Sequence, residues 1–516
     1  MDMNTAWKST CRIILGQEIG ELSEFRAYLL SGHYPISERK SALSGKRVVM
    51  GADRYPKSAR MISQDEIDYA KKPPALSINE IKDIDSMVEA FRERFSYCGN
   101  KVFGESKFVS GVDNCTDSFF VEESHDIVKS KYVAYSSFIR EGSENVFGSG
   151  VLIRGTHLIK ILGSADLARS FDCNICTNSS DMLFSVYSHG CSHCMFCFNQ
   201  RNKRYAIGNL ELGRERYLAI REKIVAEVAE KLKRDKGFPS VFDFPPLEGK
   251  PQISASKPND GFDIAPMEKA FEATTALIFG KPLKGLGKHS KFLEKNVESI
   301  KETATSPGGK AYYSDYFWSR HVPSTRMIGD CETEGAGKLK ISLPEGEMPG
   351  FDELKAKAAS VAFFPVEFSL GNRQNCGVTP VVYESVDSYR VSDATYAKKC
   401  AYDTHIQNCD SVFGSGILMV DSSFCLKCND CVKVTASLEM DSCKGCHRCL
   451  FCHNCENLSD SMFCFNAKNL KYAVGNAEVG REEYMRIREK VVADILSRLE
   501  KDGDIGIDIC SIGARK

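Results

Sequence analysis

Two stretches of this chain carry apolar residues at steps of three and four, with charges on the opposite side. In one, Tyr484, Ile487, Val491, Ile495 and Leu499 form a single stripe; in the other, Tyr217, Ile220, Ile224, Val228 and Leu232 do. That spacing predicts an amphipathic helix at each place. Gly213 and Gly480 stand where the helices begin, and Lys and Arg gather at the far ends, where they complement the helix dipole. Upstream of each helix this period disappears. From about Tyr97, and again from about Phe368, the chain is dense in Ser, Asp, Asn, Cys, Val, Phe and Tyr. Cysteines there recur at an offset of 18: Cys425 and Cys443; Cys428, Cys446 and Cys464; Cys431 and Cys449; Cys173 and Cys191; Cys176 and Cys194. So short a repeat predicts a parallel β-solenoid with a coil of about 18 residues, whose equivalent side chains stack at about 4.8 Å. The aliphatic-Gly hexads of left-handed hexapeptide barrels are missing, so the handedness stays open. The helix after the last coil is expected to cap its open strand edge.

The whole order occurs twice. FCFNQRNKRYAIGNLELGRERYLAIREKIVA from Phe196 matches FCFNAKNLKYAVGNAEVGREEYMRIREKVVA from Phe463, an offset of 267. VFGSGVLI from Val146 matches VFGSGILM from Val412, and AWKSTCRIILG from Ala6 is echoed by AFEATTALIFG from Ala270. An offset this steady implies tandem duplication of a unit of roughly 245 residues. The expected class is α+β, a pseudo-dimer within one chain. Residues 1–96 and 267–367 form helical or mixed segments, 97–210 and 368–477 the solenoids, and 211–237 and 478–516 the capping helices, the last with a tail. Proline-rich stretches around Pro73 and Pro344 close the N-terminal segments. The tract 238–266 has the composition of an exposed linker.

Composition narrows the setting without naming a reaction. Apolar residues make up 42% and charged residues 27% of 516, ordinary for a globular protein of two or more domains. A net charge of −1 gives no global pull towards nucleic acid or an anionic membrane. No signal peptide and no apolar run of membrane-spanning length is seen, so a cytoplasmic setting with no membrane partner is expected. The 22 cysteines are then expected to be thiols or metal ligands and not disulfides.

The cysteine array is the leading chemical candidate. Cys425, Cys428, Cys431, Cys443, Cys446, Cys449, Cys452 and Cys455 in the second half, and Cys173, Cys176, Cys191, Cys194 and Cys197 in the first, form C-x2-C runs suited to zinc or an iron–sulfur cluster. Their constant step equally suits ladder positions, since free Cys packs as a small apolar residue. Two basic turns are the next candidate. Arg201, Lys203 and Arg204, with Lys468 and Lys471 in the second copy, lie beside tyrosines and could contact phosphates and stack bases. The solvated entry to a helix is their plainer role. Asn202, Asn209, Asn469 and Asn476 suit turns with left-handed backbone. No phosphate-loop, nucleophile-elbow or H-E-x-x-H motif is present, and FGSG at Phe147 and Phe413 marks a corner of the coil. No histidine keeps its place in the other half, which argues against paired catalytic sites.

The string CFNAKNLKYAVGNAEVGREEY from Cys464, preceded by CHNCENLSDSMF, resembles a group of uncharacterised cysteine-rich proteins of candidate-phylum bacteria and archaea. Those proteins carry C-x2-C arrays closed by C-x-N-x-x-N-x-x-Y and a helix. The resemblance covers the C-terminal third or so of each half and implies a fold, not an activity. The leading expectation is a non-enzymatic interaction scaffold or assembly factor with a macromolecular partner, protein ahead of RNA. A zinc or iron–sulfur protein, a ribosome- or RNA-associated factor and an enzyme follow in that order. No cofactor is expected, or zinc.

Overall fold

A computed structural model of the chain describes residues 2–514 apart from 33, 35, 52, 71–82, 257–260, 316, 317 and 418. The stretch around Pro73 and part of 238–266 therefore lie outside the described residues.

Helices and long parallel sheets share the chain. The sheets are built in steps of three along the sequence. Cys425, Cys428, Cys431, Val434, Ser437, Met440 and Cys443 are all buried. Two positions after each of the first six, at Lys427, Asp430, Lys433, Ala436, Glu439 and Ser442, the backbone is left-handed. Short extended sides thus meet at left-handed corners. Each corner costs a non-glycine residue about 1–2 kcal/mol. Asn and Asp bear that cost best; Asn202 and Asn469 occupy such corners, and Asn209 and Asn476 are left-handed in the tight antiparallel turns that follow. Stacking against the next turn of chain offsets it. Asn454 Nδ2 donates to Asn466 Oδ1 at 2.9 Å, and the rings of Phe451 and Phe463 lie parallel with centroids 5.1 Å apart.

The register corrects the expected coil. Ladder partners are parallel and offset by 12 in sequence, as in Asn174 with Val186 and Val186 with Phe198, or by 13 where Lys131 meets Glu144. In the second half Val432 meets Lys444 and Lys444 meets Glu456 at the same step. The repeat expected from the cysteine spacing is therefore half as long again as the observed register step, and the columns drawn from it do not match the pairing. Inward positions recur at every third position, and 18 is a multiple of three that is not a multiple of twelve. Cys425 and Cys443 consequently sit one and a half repeats apart. Of the set Cys428, Cys446 and Cys464, only the first and last share a register position; Cys431, Cys443 and Cys455 make the column that the spacing hid. The first sheet holds 15 strands, from Val102 to Glu211. The second begins at Phe368 and continues as single bridges to Val474.

Each sheet is followed by a short antiparallel hairpin and then a helix, Arg214–Asp235 or Arg481–Asp502. The buried face of each is the apolar stripe read from the sequence. The N-terminal segments are mixed and less helical than expected, with hairpins at Ser37–Lys40/Arg47–Met50 and Ile300–Ala304/Lys310–Ser314. Their first helices stay with their own sheet: Trp7 packs edge-on to Phe147, and Phe271 to Phe413. Their later helices cross over. Ile84–Arg92 brings Phe91 onto Phe463, and Phe351–Ala358 brings Phe351 onto Phe196. The first backbone N–H of each crossing helix is held by a carboxylate of the other half, Ile84 by Asp494 at 3.1 Å and Phe351 by Glu227 at 2.6 Å. The tract 238–266 is less exposed than a linker composition implies, for Val241, Phe242 and Phe244 are buried in the shared core.

Candidate functional site

The crossing segments leave a cleft of about 120 Å³ between the two ladders, with Phe103, Asp126 and Arg140 on one wall and Asp430, Lys444 and Glu456 on the other. A network of buried charges adjoins it and reaches it at Asp126 and Asp430. Arg54, from the first crossing segment, pairs with Asp430 and lies 3.7 Å from Asp441. Asp441 also accepts from the Tyr55 hydroxyl at 2.7 Å and faces His453 Nδ1 at 2.7 Å. The other nitrogen of His453 accepts from the Cys98 backbone N–H at 2.9 Å, which fixes the proton on Nδ1. Lys101 spans the halves: its ammonium is 3.4 Å from Asp113 and 3.2 Å from the Ser442 hydroxyl. Asp126 accepts from Asn114 and faces His125 Nδ1 at 2.8 Å.

The environments push these acids apart. Burial pushes Asp430 up to about 7, with Asp126 and Asp441 adding and Arg54 opposing. Burial also works against the charge on Asp441, yet hydrogen bonding to His453 and the charge of Arg54 hold it well below the usual carboxylate range. Burial opposes the charge on Lys101 as well, but Asp113 and its neighbours raise its pKa above that of an ordinary lysine. Paired charges out of water hold their geometry firmly, since breaking one pair strands the other partner. Chemically the cleft is a small recess whose lining is more apolar than polar, with Asp126, Arg140, Asp430 and Ser442 among its polar side chains.

Of the expected site residues, the cleft gathers Cys443, Cys455 and Lys468. Cys173, Cys176, Cys191, Cys194, Cys197, Cys425, Cys428, Cys431, Cys446, Cys449 and Cys452 are buried inside the ladders as free thiols. Their Sγ atoms face nearby backbone carbonyls, as Cys443 does with Asp441 and Cys452, both at 3.3 Å. Serines fill the same inward positions: Ser385 donates to the Tyr383 and Ala394 carbonyls at 2.9 and 3.0 Å. The C-x2-C step is thus the step of inward positions. Among the described residues, no three His, Cys, Asp or Glu side chains gather in a way that could hold a metal ion.

The basic turns are spread over the surface. Lys203 pairs with Glu211 at 2.8 Å and Lys468 with Glu456 at 2.9 Å, while Arg204 and Lys471 lie over the rings of Tyr205 and Tyr472. Arg201 is exposed. Comparisons with protein-family models, with curated proteins and with solved structures found no match. Sequence reasoning missed Arg54, Lys101, Asp126, Asp430 and Asp441, because nothing in the local pattern separates a buried charge from a solvated one. Among the described residues no helix is long and apolar enough to cross a membrane.

Proposed function

We propose that the protein is a non-enzymatic interaction scaffold whose partner is an extended segment of another protein. In this reading the two ladders are β-solenoids whose coil is the observed register step, duplicated from one unit and capped by the helices at Arg214–Asp235 and Arg481–Asp502. The repeated register and the crossed helices support it, since they join both halves into one frame.

The observation that carries the proposal is Phe108. It is 71% exposed and ends a stack that continues through Phe120 and Tyr132, with centroids 4.7 and 4.9 Å apart. Its strand, Lys107–Ser110, pairs on one side alone among the described residues, with Phe119–Glu122. An edge of this kind accepts an added strand through its backbone, and the stack then selects the side chain that lands on Phe108. Protein stands ahead of RNA because Lys203 and Lys468 are neutralised by carboxylates. The test is selection of a random peptide display library on the full chain, with recovered peptides titrated against wild type, Phe108→Asp and Val109→Pro. Peptides that bind wild type and lose at least about tenfold in both variants support the scaffold, a loss expected when a main anchor is removed. Peptides that bind all three alike, or no enrichment at all, would overturn it.

A further inference from the structure

Lys160 and Asp172 occupy neighbouring turns of the first ladder and are both buried. Their counterparts at the offset of 267 are Lys427 and Glu439, and the two pairs have different fates. In the second half the pair is closed. Lys427 Nζ is 2.9 Å from Glu439 Oε1 and lies over the Phe292 ring, while Glu439 Oε2 accepts from the Ile509 backbone N–H at 2.8 Å. The charges of Lys427 and Glu439 thus face each other, and the second carboxylate oxygen is held by the chain.

In the first half the acid is one methylene shorter and a cavity of about 60 Å³ remains beside it, lined by Ser31, Gly32, Lys160, Asp172, Val241 and His321 among others. Lys160 Nζ donates to the Tyr28 carbonyl at 3.1 Å and the Ser31 hydroxyl at 2.8 Å, which accounts for two of its three N–H groups. Asp172 takes the Val241 backbone N–H, but its Oδ2 has no hydrogen-bond partner among the described residues. A buried unpaired carboxyl oxygen is costly and calls for a partner. Gly32 forms part of the wall, and a Cβ there would come within 3.0 Å of the ammonium. His321 is already engaged, since its Nε2 accepts from Arg320 at 3.0 Å. Burial and the Arg320 charge hold it down to about 4, so it stands neutral in the wall. The cations near the cavity are Lys160, Lys355 and Arg320, against Asp172 and Asp243. Of these, Lys160 and Asp172 line the cavity itself, so a ligand with one anionic group for the ammonium and one donor for the carboxylate matches both.

We infer that this cavity binds a small α-hydroxy acid of two or three carbons, with its carboxylate on the Lys160 ammonium and its hydroxyl donating to Asp172 Oδ2. The space admits a handful of non-hydrogen atoms, since a single water needs about 10–15 Å³ on the same measure. A ligand lacking the hydroxyl leaves Asp172 unpaired and is rejected for that reason. The inference goes beyond the scaffold reading and does not depend on it.

The test is calorimetric titration of the full chain with glycolate near neutral pH, with acetate as the ligand that lacks the hydroxyl. Glycolate is expected to bind saturably, no tighter than about 1 µM for so few atoms, and acetate at least about tenfold more weakly. Lys160→Met and Asp172→Glu are each expected to abolish binding. The glutamate variant decides the matter if the methionine variant fails to fold, because it installs the lysine–glutamate ion pair that the second half already holds. Absence of saturable binding by glycolate, equal binding of acetate, or binding that survives Asp172→Glu would each overturn the assignment.

Discussion

Asn199 donates from Nδ2 to the carbonyl of Phe363, 2.9 Å away and in the other half of the chain. Asn466 makes the counterpart bond to the carbonyl of Ser96, also at 2.9 Å, with donor and acceptor each displaced by the same offset of 267. Each half therefore supplies a crossing segment that the other half grips. Asn466 also accepts from Asn454, so it ties the crossing segment to the ladder as well. Asn466→Ala leaves the buried Ser96 carbonyl without its donor, at a cost of about 1–3 kcal/mol. Urea denaturation of the full chain is expected to show a lower midpoint. An unchanged midpoint would mean that the crossing segment is held by apolar packing alone.

The helices test a second relationship. Ile224 and Val491 are fully buried on the faces that pack against the last turns of the ladders. Ile224→Asp or Val491→Asp buries an unpaired charge, and several kcal/mol is a large part of a domain's whole stability. Both variants are expected to aggregate, because displacement of the helix bares strand edges. Size-exclusion chromatography of the soluble fraction checks this, and a wild-type profile would count against the capping role.

The helices were legible in the sequence because their stripes are long and the period of 3.6 is unambiguous. The ladders were legible as parallel β-structure, but their repeat was not. Inward Cys, Ser, Val, Met and Leu alternate freely down a column, so identity at a given spacing points to the step of three and leaves the longer register step hidden. Cys428 and Cys464 share a column while Cys446, midway between them in the sequence, does not. The charged cleft was illegible for another reason. Asp430 and Asp126 acquire their character from segments far away in the sequence, and the crossing that buries them leaves no local mark.

Stability should respond to pH through Asp172. Burial raises its pKa to about 7, with Asp243 adding, while Lys160, Lys355 and the Val241 N–H oppose the rise. The unfolded carboxyl titrates near about 3.9. The folded state therefore holds its proton more tightly, and the stabilisation is complete below the unfolded value. It is lost as pH rises through about 7 and does not change further above that. Asp430, also raised to about 7, contributes in the same window, so these two groups should cost wild type a few kcal/mol of stability between about pH 4 and about pH 7. Asp172→Asn should remove part of that slope and leave the share of Asp430. Denaturation midpoints at several pH values check it, and an identical slope in the variant would show that Asp172 does not titrate there.

The cysteines set the last test. Cys446 Sγ faces the Lys444 carbonyl at 3.5 Å and the Cys455 carbonyl at 3.6 Å. Ser437 and Ser461 hold equivalent inward positions, and their hydroxyls donate to the carbonyls of Thr435 and Ser459 at 2.9 and 3.0 Å. Cys446→Ser can therefore adopt a bond the ladder already uses, and its cost should be about 1 kcal/mol, set by the lost volume. Cys446→Ala forfeits the bond as well and should cost about 1–3 kcal/mol. A structural metal site predicts something different in kind. Both variants would then release metal and unfold the second half, because ligand loss is folding energy there. The expected result is the graded pair of small losses, in chelator and in buffer alike. A chelator that melts the second half while sparing the first would show that the thiols bind metal after all.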